Sequence, residues 1–242
     1  MERIFFFIIC CFLGLVKSDT EDDGYSGEVK ELFQDLKDFR SNVQTAQEKM
    51  ASFSYETMDR KYAIGLVNLY TQQSPFYSTL NKEMRNNYPT KTDIWQRSGD
   101  LINRGIDILG PTEHKIVYRG CTALNERPEK GRDFKFNQIT STTLLRELAV
   151  MFADNVCQKG ILFEISNVYG LLVEKYSAFK TEKEVIIKSY HVFKVKEPEQ
   201  TEKLTIYKLD GQSESINSGN RAYADILMPF SFVTVLILTL GL

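Results

Sequence analysis

Histidine is scarce in this chain of 242 residues, which contains only His114 and His191. Neither histidine has a second ligand residue at the spacing typical of a metal site, so we expect no bound metal. No serine stands in a Gly-x-Ser-x-Gly sequence, which argues against a Ser-His-Asp hydrolase. The chain also lacks a Gly-x-Gly-x-x-Gly sequence and a P-loop, so neither of these familiar loops is available to hold phosphates.

The chain also has no large excess of one charge, because it contains 30 basic and 32 acidic residues and its net charge is -2. A near-neutral chain has no electrostatic reason to bind nucleic acid. The composition, 43% hydrophobic and 26% charged, is that of a globular protein and suits one domain once the two ends are removed. We expect that domain to be a monomer.

The first apolar run indicates secretion. Residues 4–16 are apolar and follow the basic Arg3. Thirteen apolar residues are too few for a membrane-spanning helix, which needs about 20. We therefore predict that residues 1–18 are a signal peptide, with cleavage after Ser18.

The last apolar run has a different context. Residues 226–242 are apolar, a polar spacer occupies residues 220–225, and small residues cluster at 213–219. Small residues, a spacer and an apolar tail form the pattern that is replaced by a glycosylphosphatidylinositol (GPI) anchor. The alternative is a tail-anchored helix, which a signal peptide disfavours.

This pattern predicts how the mature protein is attached to the membrane. Asn217 or Ser218 is the expected lipid attachment residue, and residues 218–242 would be the removed propeptide. The mature protein would span residues 19–217, either anchored to the outer face of the plasma membrane or shed from it.

Cysteine is also sparse, at four residues. Cys10 and Cys11 lie in the predicted signal peptide, which leaves Cys121 and Cys157. In an oxidising compartment the two thiols are expected to form one disulfide, worth roughly 3–4 kcal/mol for a loop of this size. Two buried free thiols are the alternative.

Helical spacing dominates residues 19–110. A first helix is predicted from apolar residues on one face, with Ser26 as its cap. A second begins at Ser74 and Pro75, a cap followed by a first-turn proline. A third ends at Gly110. The apolar positions of the first helix are Val29, Leu32, Phe33, Leu36, Phe39 and Val43, those of the second are Phe76, Leu80 and Met84, and those of the third are Ile94, Leu101, Ile102, Ile106 and Leu109.

Residues 111–210 favour strands instead, interrupted by one short helix over residues 144–154. Helices first and strands afterwards indicate an α+β fold, with the helical region packed on a mixed, mainly antiparallel β core. The predicted strands are residues 115–120, 160–165, 169–174, 184–189, 191–195 and 204–209.

Three polar motifs lie in this second part. Arg119 ends a predicted strand, where its guanidinium could bind a phosphate, and Gly120 would let a ligand approach the backbone. Residues 138–143 are polar except for Ile139 and stand just before the short helix, a position typical of a helix cap. Glu182 and Glu184 flank one lysine; in extended chain both carboxylates would point the same way and could divide acid–base and electrostatic roles. Taken singly, each motif also fits an ordinary solvated surface.

Taken together and in this order, the motifs resemble the R-S-ExE family of ADP-ribosyltransferases, and more closely its arginine-modifying ecto-enzymes. The resemblance extends over essentially the whole mature chain. It is carried by residues 117–120, by residues 138–143 against a Q-F-x-S-T-S segment, by residues 162–165, by residues 176–187 against Y-S-x-F-x-x-E-x-E-V-L-I, by Tyr70 and Thr71, and by Asn81 and Arg85.

The resemblance implies that NAD is the substrate and assigns residues to it. Glu184 would stabilise the positive charge that develops on the ribose, while Ser141 holds Glu184 and the ribose in register. Arg119 would bind the NAD phosphates or the adjacent ribose. Further NAD contacts are expected at Gly120, Gln138 and Ser177.

The resemblance also implies the acceptor. Glu182 would pair with an arginine side chain of another surface or extracellular protein and help to remove its proton. A family member with glutamate at this place modifies arginine, so the expected activity is protein-arginine mono-ADP-ribosylation.

Some residues depart from the family pattern. Thr143 ends the serine-threonine triplet, Ile139 replaces an aromatic residue, and the mature chain has cysteines for one disulfide where two are common. Two other functions stay open: an NAD glycohydrolase in which water is the acceptor, and an inactive surface binding protein of the same fold.

Overall fold

The computed structural model describes residues 24–86, 94–121, 127–154 and 160–211. The predicted signal peptide, the lipid attachment segment and Cys157 lie outside these residues. No helix within the described part is long and apolar enough to cross a membrane.

The chain forms two compact units, which are described separately. The helical unit consists of Met1–Pro111, Asn137–Thr140 and Leu171–Ser189. The sheet unit consists of Thr112–Phe136, Ser141–Gly170 and Tyr190–Leu242.

A central helix organises the helical unit. Every residue of α3 from Ala63 to Thr71 is buried, and α3 packs against the other four helices. Gly65 permits a close contact with α2, because a Cβ there would lie 2.4 Å from the sulfur of Met50. The helices of this unit are α1 (Tyr25–Asp35), α2 (Arg40–Ala51), α3 (Met58–Thr71), α4 (Pro75–Arg85) and α5 (Ile94–Leu109), with a 3-10 turn at Lys37–Phe39.

The structure divides the first predicted helix in two. At Leu36 the backbone leaves the helical region (φ -74°, ψ 52°), and a 3-10 turn separates α1 from α2. Val29, Leu36 and Val43 are nevertheless buried, as their spacing predicts. The prediction of Ser26 as the cap is wrong: α1 begins after Gly24, and the Ser26 amide donates to Oδ1 of Asp59 on α3 at 3.1 Å.

The predicted start of the second helix and the predicted end of the third are confirmed. Ser74 is the N-cap residue of α4, although its side chain makes no capping hydrogen bond, and Pro75 occupies the first turn. The third predicted helix is α5, which ends at Leu109 where Gly110 takes a positive φ of 84°.

A mixed sheet forms the sheet unit. Strand β1 (Thr112–Cys121) is antiparallel to β4 (Gly160–Leu172), with Tyr118 opposite Glu164. Strand β4 is parallel to β8 (Leu204–Gly211), which is antiparallel to β6 and β7. The remaining elements of the sheet unit are β2 (Asp133–Phe134), β3 (Thr140–Thr143, whose first residue belongs to the helical unit), α6 (Arg146–Asp154), β6 (Phe193–Val195) and β7 (Glu199–Gln200). Strand β5 (Glu184–Ile187) belongs to the helical unit.

Residues 160–165 and 169–174 were expected to form two strands, but Gly160–Leu172 form one continuous strand, β4. Asn167 adopts a left-handed conformation (φ 51°) without ending it, because pairing with β1 resumes on both sides, at Ser166 and at Val168. The last two residues, Leu171 and Leu172, pair antiparallel with Ile186 and Val185 of β5. The predicted α+β fold with a mixed, mainly antiparallel sheet is confirmed.

Residues 140–143 form strand β3, where the sequence predicted a helix cap. Thr143 lies opposite Tyr118 of β1. Its hydroxyl also accepts a hydrogen bond from the Leu145 amide at 3.0 Å, just before α6 begins at Arg146. The segment therefore belongs to the sheet, and only its last residue supports the start of the helix.

Candidate active site

Arg119 is held by two neighbours within the sheet unit. Its Nη1 donates to the backbone carbonyl oxygen of Ser141 at 2.6 Å. Its guanidinium carbon lies 5.9 Å from the ring centroid of Phe136, within the range of a cation–π contact. These contacts orient a cationic, fork-shaped donor group of the kind that binds phosphates in two-pronged fashion.

An aromatic cluster fixes the ring beneath Arg119. Phe136 packs edge-on against Phe163 at 5.0 Å and against Phe193 at 5.7 Å. Phe163 is fully buried and also stacks on Tyr207 at 5.6 Å. The cluster therefore gives the cation–π contact a rigid support.

Ser141 is half-buried in β3, and its neighbours Thr140, Thr142 and Thr143 are buried. Pairing of Tyr118 with Thr143 aligns β3 beside β1. This pairing brings two predicted site residues, Arg119 and Ser141, into contact through the Ser141 main chain.

Gly120 is needed for packing. A Cβ at this position would lie 1.9 Å from the carbonyl oxygen of Ala149 and 2.7 Å from the Ala153 nitrogen, both on α6. No side chain fits there, because α6 crosses β1 with its backbone against Gly120. From the sequence, this glycine was expected to let a ligand approach the backbone, whereas the structure places a helix on that side. An NAD contact by Gly120 stays a prediction.

The two acids of the third motif lie in the helical unit, in different backbone conformations. Glu182 ends a 3-10 turn (Lys180–Glu182), and Lys183 takes the left-handed conformation with φ 47°. Strand β5 begins only at Glu184. The expectation that both carboxylates share one face of an extended strand is therefore wrong, since the alternation of side chains requires extended backbone at Lys183.

A hydrogen bond from Gln73, which lies just beyond the C-cap residue of α3, holds Glu182. The Gln73 Nε2 donates to Glu182 Oε1 at 3.0 Å. Partial burial raises the pKa of the Glu182 carboxyl above its ordinary value, and the hydrogen bond from Gln73 opposes that rise. Lys183, which separates the two acids in sequence, pairs with Glu174 at 2.6 Å.

Glu184 is buried, with 8% of its surface exposed. Its backbone carbonyl accepts from the Val173 amide at 3.0 Å, which ties the start of β5 to the residue after β4. Acidic side chains are rarely buried unless they are paired.

Ser177 shapes the loop that precedes the two acids. The side chain is buried, and its hydroxyl oxygen accepts from the Phe179 amide at 2.9 Å. Two α3 side chains hold the same loop: Asn68 donates to the Tyr176 carbonyl at 2.7 Å, and Thr71 accepts from the Ala178 amide at 3.2 Å.

Gln138 is held by the helices as well. Arg85 of α4 donates to its Oε1, and the Gln138 side chain is buried. Tyr70 donates to the carbonyl of the next residue, Ile139, at 2.8 Å, and Asn81 donates to the Tyr70 hydroxyl at 3.2 Å. The helical residues that carried the sequence resemblance therefore orient the segment that contains Gln138.

The predicted residues are thus distributed over both units. Arg119, Gly120 and Ser141 belong to the sheet unit, whereas Gln138, Ser177, Glu182 and Glu184 belong to the helical unit. Gln73 was not predicted as a site residue, because it lies 109 residues from Glu182 and no local pattern connects the two. The described residues contain no group of three or more side chains that could hold a metal ion.

The chain matches a family model. The model described as NAD:arginine ADP-ribosyltransferase covers residues 20–216. Among curated relatives, the chain is 34% identical over 79 residues to NAD(P)(+)--arginine ADP-ribosyltransferase 1 of Gallus gallus, which covers 33% of this chain and 24% of the relative. It is 29% identical over 92 residues to T-cell ecto-ADP-ribosyltransferase 2 of Mus musculus, covering 38% of this chain and 31% of the relative. The chain therefore spans about a quarter to a third of the length of these relatives.

Solved structures share the fold. The eukaryotic mono-ADP-ribosyltransferase ART2.2 superposes with a TM-score of 0.59 at 18% identity, over 76% of this chain and 82% of that one. Exoenzyme S from Pseudomonas aeruginosa superposes with a TM-score of 0.56 at 18% identity, over 83% and 99%. The ADP-ribosyltransferase Vis in complex with agmatine superposes with a TM-score of 0.51 at 20% identity, over 73% and 86%.

Proposed function

Since this chain belongs to the NAD:arginine ADP-ribosyltransferase family, we propose that it transfers ADP-ribose from NAD to arginine side chains of proteins and releases nicotinamide. One observation carries the proposal: the family match over residues 20–216 includes Arg119, Ser141, Glu182 and Glu184 in the order of the R-S-ExE pattern. The activities in the names of the chicken and mouse relatives support it.

Bond cleavage at the ribose is assigned to Glu184. The bond between nicotinamide and ribose breaks, nicotinamide leaves with the electron pair, and positive charge develops on the sugar. A buried carboxylate in a water-poor environment stabilises such a charge strongly, as in glycoside hydrolysis. The burial of Glu184 supports this role.

Binding of NAD is assigned to Arg119 and Ser141, with Gly120, Gln138 and Ser177 as further contacts. Arg119 carries the positive charge and the paired donors that suit a pyrophosphate. Its contacts with the Ser141 carbonyl and the Phe136 ring support this role, because a guanidinium oriented in advance loses less entropy on binding. Gly120 has a separate, structural reason to be glycine.

Glu182 is assigned to the acceptor. A guanidinium has a pKa above about 12, so an arginine arrives protonated and is a poor nucleophile. A carboxylate can pair with it, orient one nitrogen towards the sugar carbon and accept the proton that is lost as the new bond forms. The exposed fraction that Glu182 retains supports contact with a protein substrate.

An assay with agmatine, a small guanidine compound, separates this function from the alternatives. The full chain is expressed on cultured cells and supplied with NAD labelled in the adenosine half. Labelled agmatine is the expected product. ADP-ribose as the main product, with agmatine unmodified, would identify an NAD glycohydrolase instead, and unchanged NAD would identify an inactive binding protein.

The natural substrates are proposed to be arginine-containing surface or extracellular proteins. Mass spectrometry of cell-surface proteins after incubation with labelled NAD would map the modified residues. Modification of aspartate, cysteine or serine instead of arginine would contradict the assignment of Glu182.

We further propose that residues 1–18 direct secretion and that a GPI anchor at Asn217 or Ser218 holds the mature chain on the outer face of the plasma membrane. The ecto-enzyme named among the relatives supports a cell-surface location. Release of the protein by a phospholipase specific for phosphatidylinositol is the expected result; retention after this treatment would favour a tail-anchored helix. Mass spectrometry without reduction tests the proposed Cys121–Cys157 disulfide.

A further inference from the structure

Gln73 stands where the central helix of the helical unit ends. Helix α3 stops at Thr71, Gln72 is its C-cap residue, and Gln73 adopts a left-handed backbone with φ 49° before α4 begins at Pro75. A left-handed conformation is uncommon for a residue with a long side chain. Here it occurs at the residue whose amide reaches Glu182.

The residue before Gln73 is itself fixed. Gln72 donates to the Asn42 carbonyl at 3.0 Å and to Asn68 Oδ1 at 3.1 Å, and Asn42 donates back to Gln72 at 2.8 Å. The turn that carries Gln73 is therefore built into the helix packing, and its amide is a donor in a defined place.

We propose that Gln73 is a positioning residue for Glu182, which makes the enzyme use arginine instead of water as the acceptor of ADP-ribose. This inference rests on the proposed function. Gln73 acts through Glu182 and touches neither the donor nor the acceptor in this scheme.

The kind of donor matters for this role. A neutral amide that donates to Oε1 restricts rotation of the Glu182 carboxylate without cancelling its charge. A lysine or arginine donor at the same place would compete with the cationic acceptor for that charge. The lysine closest in sequence, Lys183, pairs with Glu174.

The effect of this restricted rotation on the reaction rate depends on how precisely the transfer step must be aligned. Transfer requires a guanidine nitrogen to be aligned with the sugar carbon, and misplacement of a catalytic group by about 1 Å can cost roughly a hundredfold in rate. Attack by water needs no such alignment through Glu182. Loss of the Gln73 amide is therefore expected to reduce transfer and to leave hydrolysis largely intact.

The test replaces Gln73 by methionine, which has a similar length and no amide. The matched control is Gln44→Met, because Gln44 is an exposed glutamine of α2 whose Nε2 donates to Glu48 Oε1 at 3.1 Å, a comparable pair elsewhere in the same unit. Both variants and the wild type are assayed as full chains for agmatine transfer and for NAD hydrolysis. Gln73→Met is expected to lower the ratio of transfer to hydrolysis about tenfold or more, whereas Gln44→Met leaves the ratio unchanged.

A second measurement does not depend on enzyme activity. Carbon-13 NMR of the full chain in detergent, with labelled glutamate, follows the titration of Glu182, whose signal is identified by its loss in Glu182→Gln. The pKa of Glu182 is expected to rise in Gln73→Met, because the hydrogen bond that lowers it is gone while burial remains. The pKa is expected to stay unchanged in Gln44→Met.

The possible results distinguish failure of this inference from failure of the proposed function. An unchanged pKa of Glu182 in Gln73→Met overturns the inference whatever the activities are, and so does an equal fall of transfer and hydrolysis. A wild type that carries out neither reaction overturns the proposed function, and this inference with it, independently of the Gln73 variant. A selective loss of transfer together with the raised pKa supports the inference.

Discussion

The guanidinium of Arg119 donates to the main-chain carbonyl of Ser141, a residue 22 positions later, at 2.6 Å. Two residues that the sequence analysis placed in one functional site are thus in contact within the sheet unit. The contact uses the backbone of Ser141, so it does not depend on the serine hydroxyl.

Because the contact uses the Arg119 side chain but only the Ser141 main chain, substitutions of the two residues should have different effects. Arg119→Lys removes the fork-shaped donor, and KM for NAD should rise roughly 10-fold to 100-fold, as expected when a hydrogen bond to a charged group worth about 1.5–3 kcal/mol is lost. Ser141→Ala keeps the carbonyl and should lower kcat more than it raises KM. Steady-state kinetics with NAD measures both; the same change of KM in both variants would contradict separate roles.

The two acids should divide the reaction between them. Glu184→Gln is expected to abolish both agmatine transfer and NAD hydrolysis, by about a hundredfold or more, because the charge that stabilises the sugar cation is lost. Glu182→Gln should abolish transfer and retain some hydrolysis. Glu31→Gln, on the exposed surface of α1, is the control and should change neither activity. Equal loss of both activities in Glu182→Gln would refute the division.

Transfer should depend on pH through Glu182. Its carboxylate must be ionised to pair with the guanidinium, and burial raises its pKa above the ordinary glutamate value. As the pH falls through that raised pKa, the carboxylate is protonated, so transfer should decline at a higher pH than an exposed glutamate would cause. The measurement is kcat/KM for agmatine against pH. NAD hydrolysis by the Glu182→Gln variant should lack this decline at acidic pH. If the decline persists in that variant, another group causes it.

Tyr70 should matter for stability through its hydroxyl. Tyr70→Phe removes the donor to the Ile139 carbonyl and the acceptor of the Asn81 amide, both in buried surroundings. A loss of about 1–3 kcal/mol is expected, which lowers Tm by roughly 2–4 °C per kcal/mol for a domain of this size. Tyr62→Phe is the control, because that half-buried ring packs on Phe33. A Tm equal to that of the wild type in Tyr70→Phe would show that this hydrogen bond is unimportant.

Gly120→Ala should destabilise the sheet unit. The added Cβ would collide with the backbone of α6, and overpacking of this kind costs about 1–3 kcal/mol or more. Thermal unfolding would reveal the loss, while Lys115→Ala at an exposed position of β1 should stay within about 0.5 kcal/mol of the wild type. Normal stability combined with weak NAD binding would instead favour the explanation by ligand approach.

The spacing of apolar residues predicted which side chains are buried, but not where one helix or strand ends. Val29, Leu36 and Val43 are buried as expected, although a turn at Leu36 separates two helices. A 3.6-residue period indicates which side chains face the core. The predicted side chains still face it after a break in the helix if the next helix packs on the same core. Similarly, strand β4 continues through Asn167 because its partner strand continues beside it.

The two acids illustrate the limit of a local pattern. Alternation along an extended chain predicted a shared face for Glu182 and Glu184, but Lys183 is left-handed and Glu182 ends a 3-10 turn. The turn is also held by Thr71 at the end of α3 and by Gln73 just after it, and no local pattern of residues reveals these distant contacts.

Residue types and their spacing along the chain are enough to specify the fold class, the family and the order of the three polar motifs. The packing of the helices and strands was needed to show that Gln73 holds Glu182, that Arg119 contacts the main chain of Ser141, and that Gly120 makes room for a helix. Each of these contacts joins segments distant in sequence, and its geometry follows from how helices and strands pack.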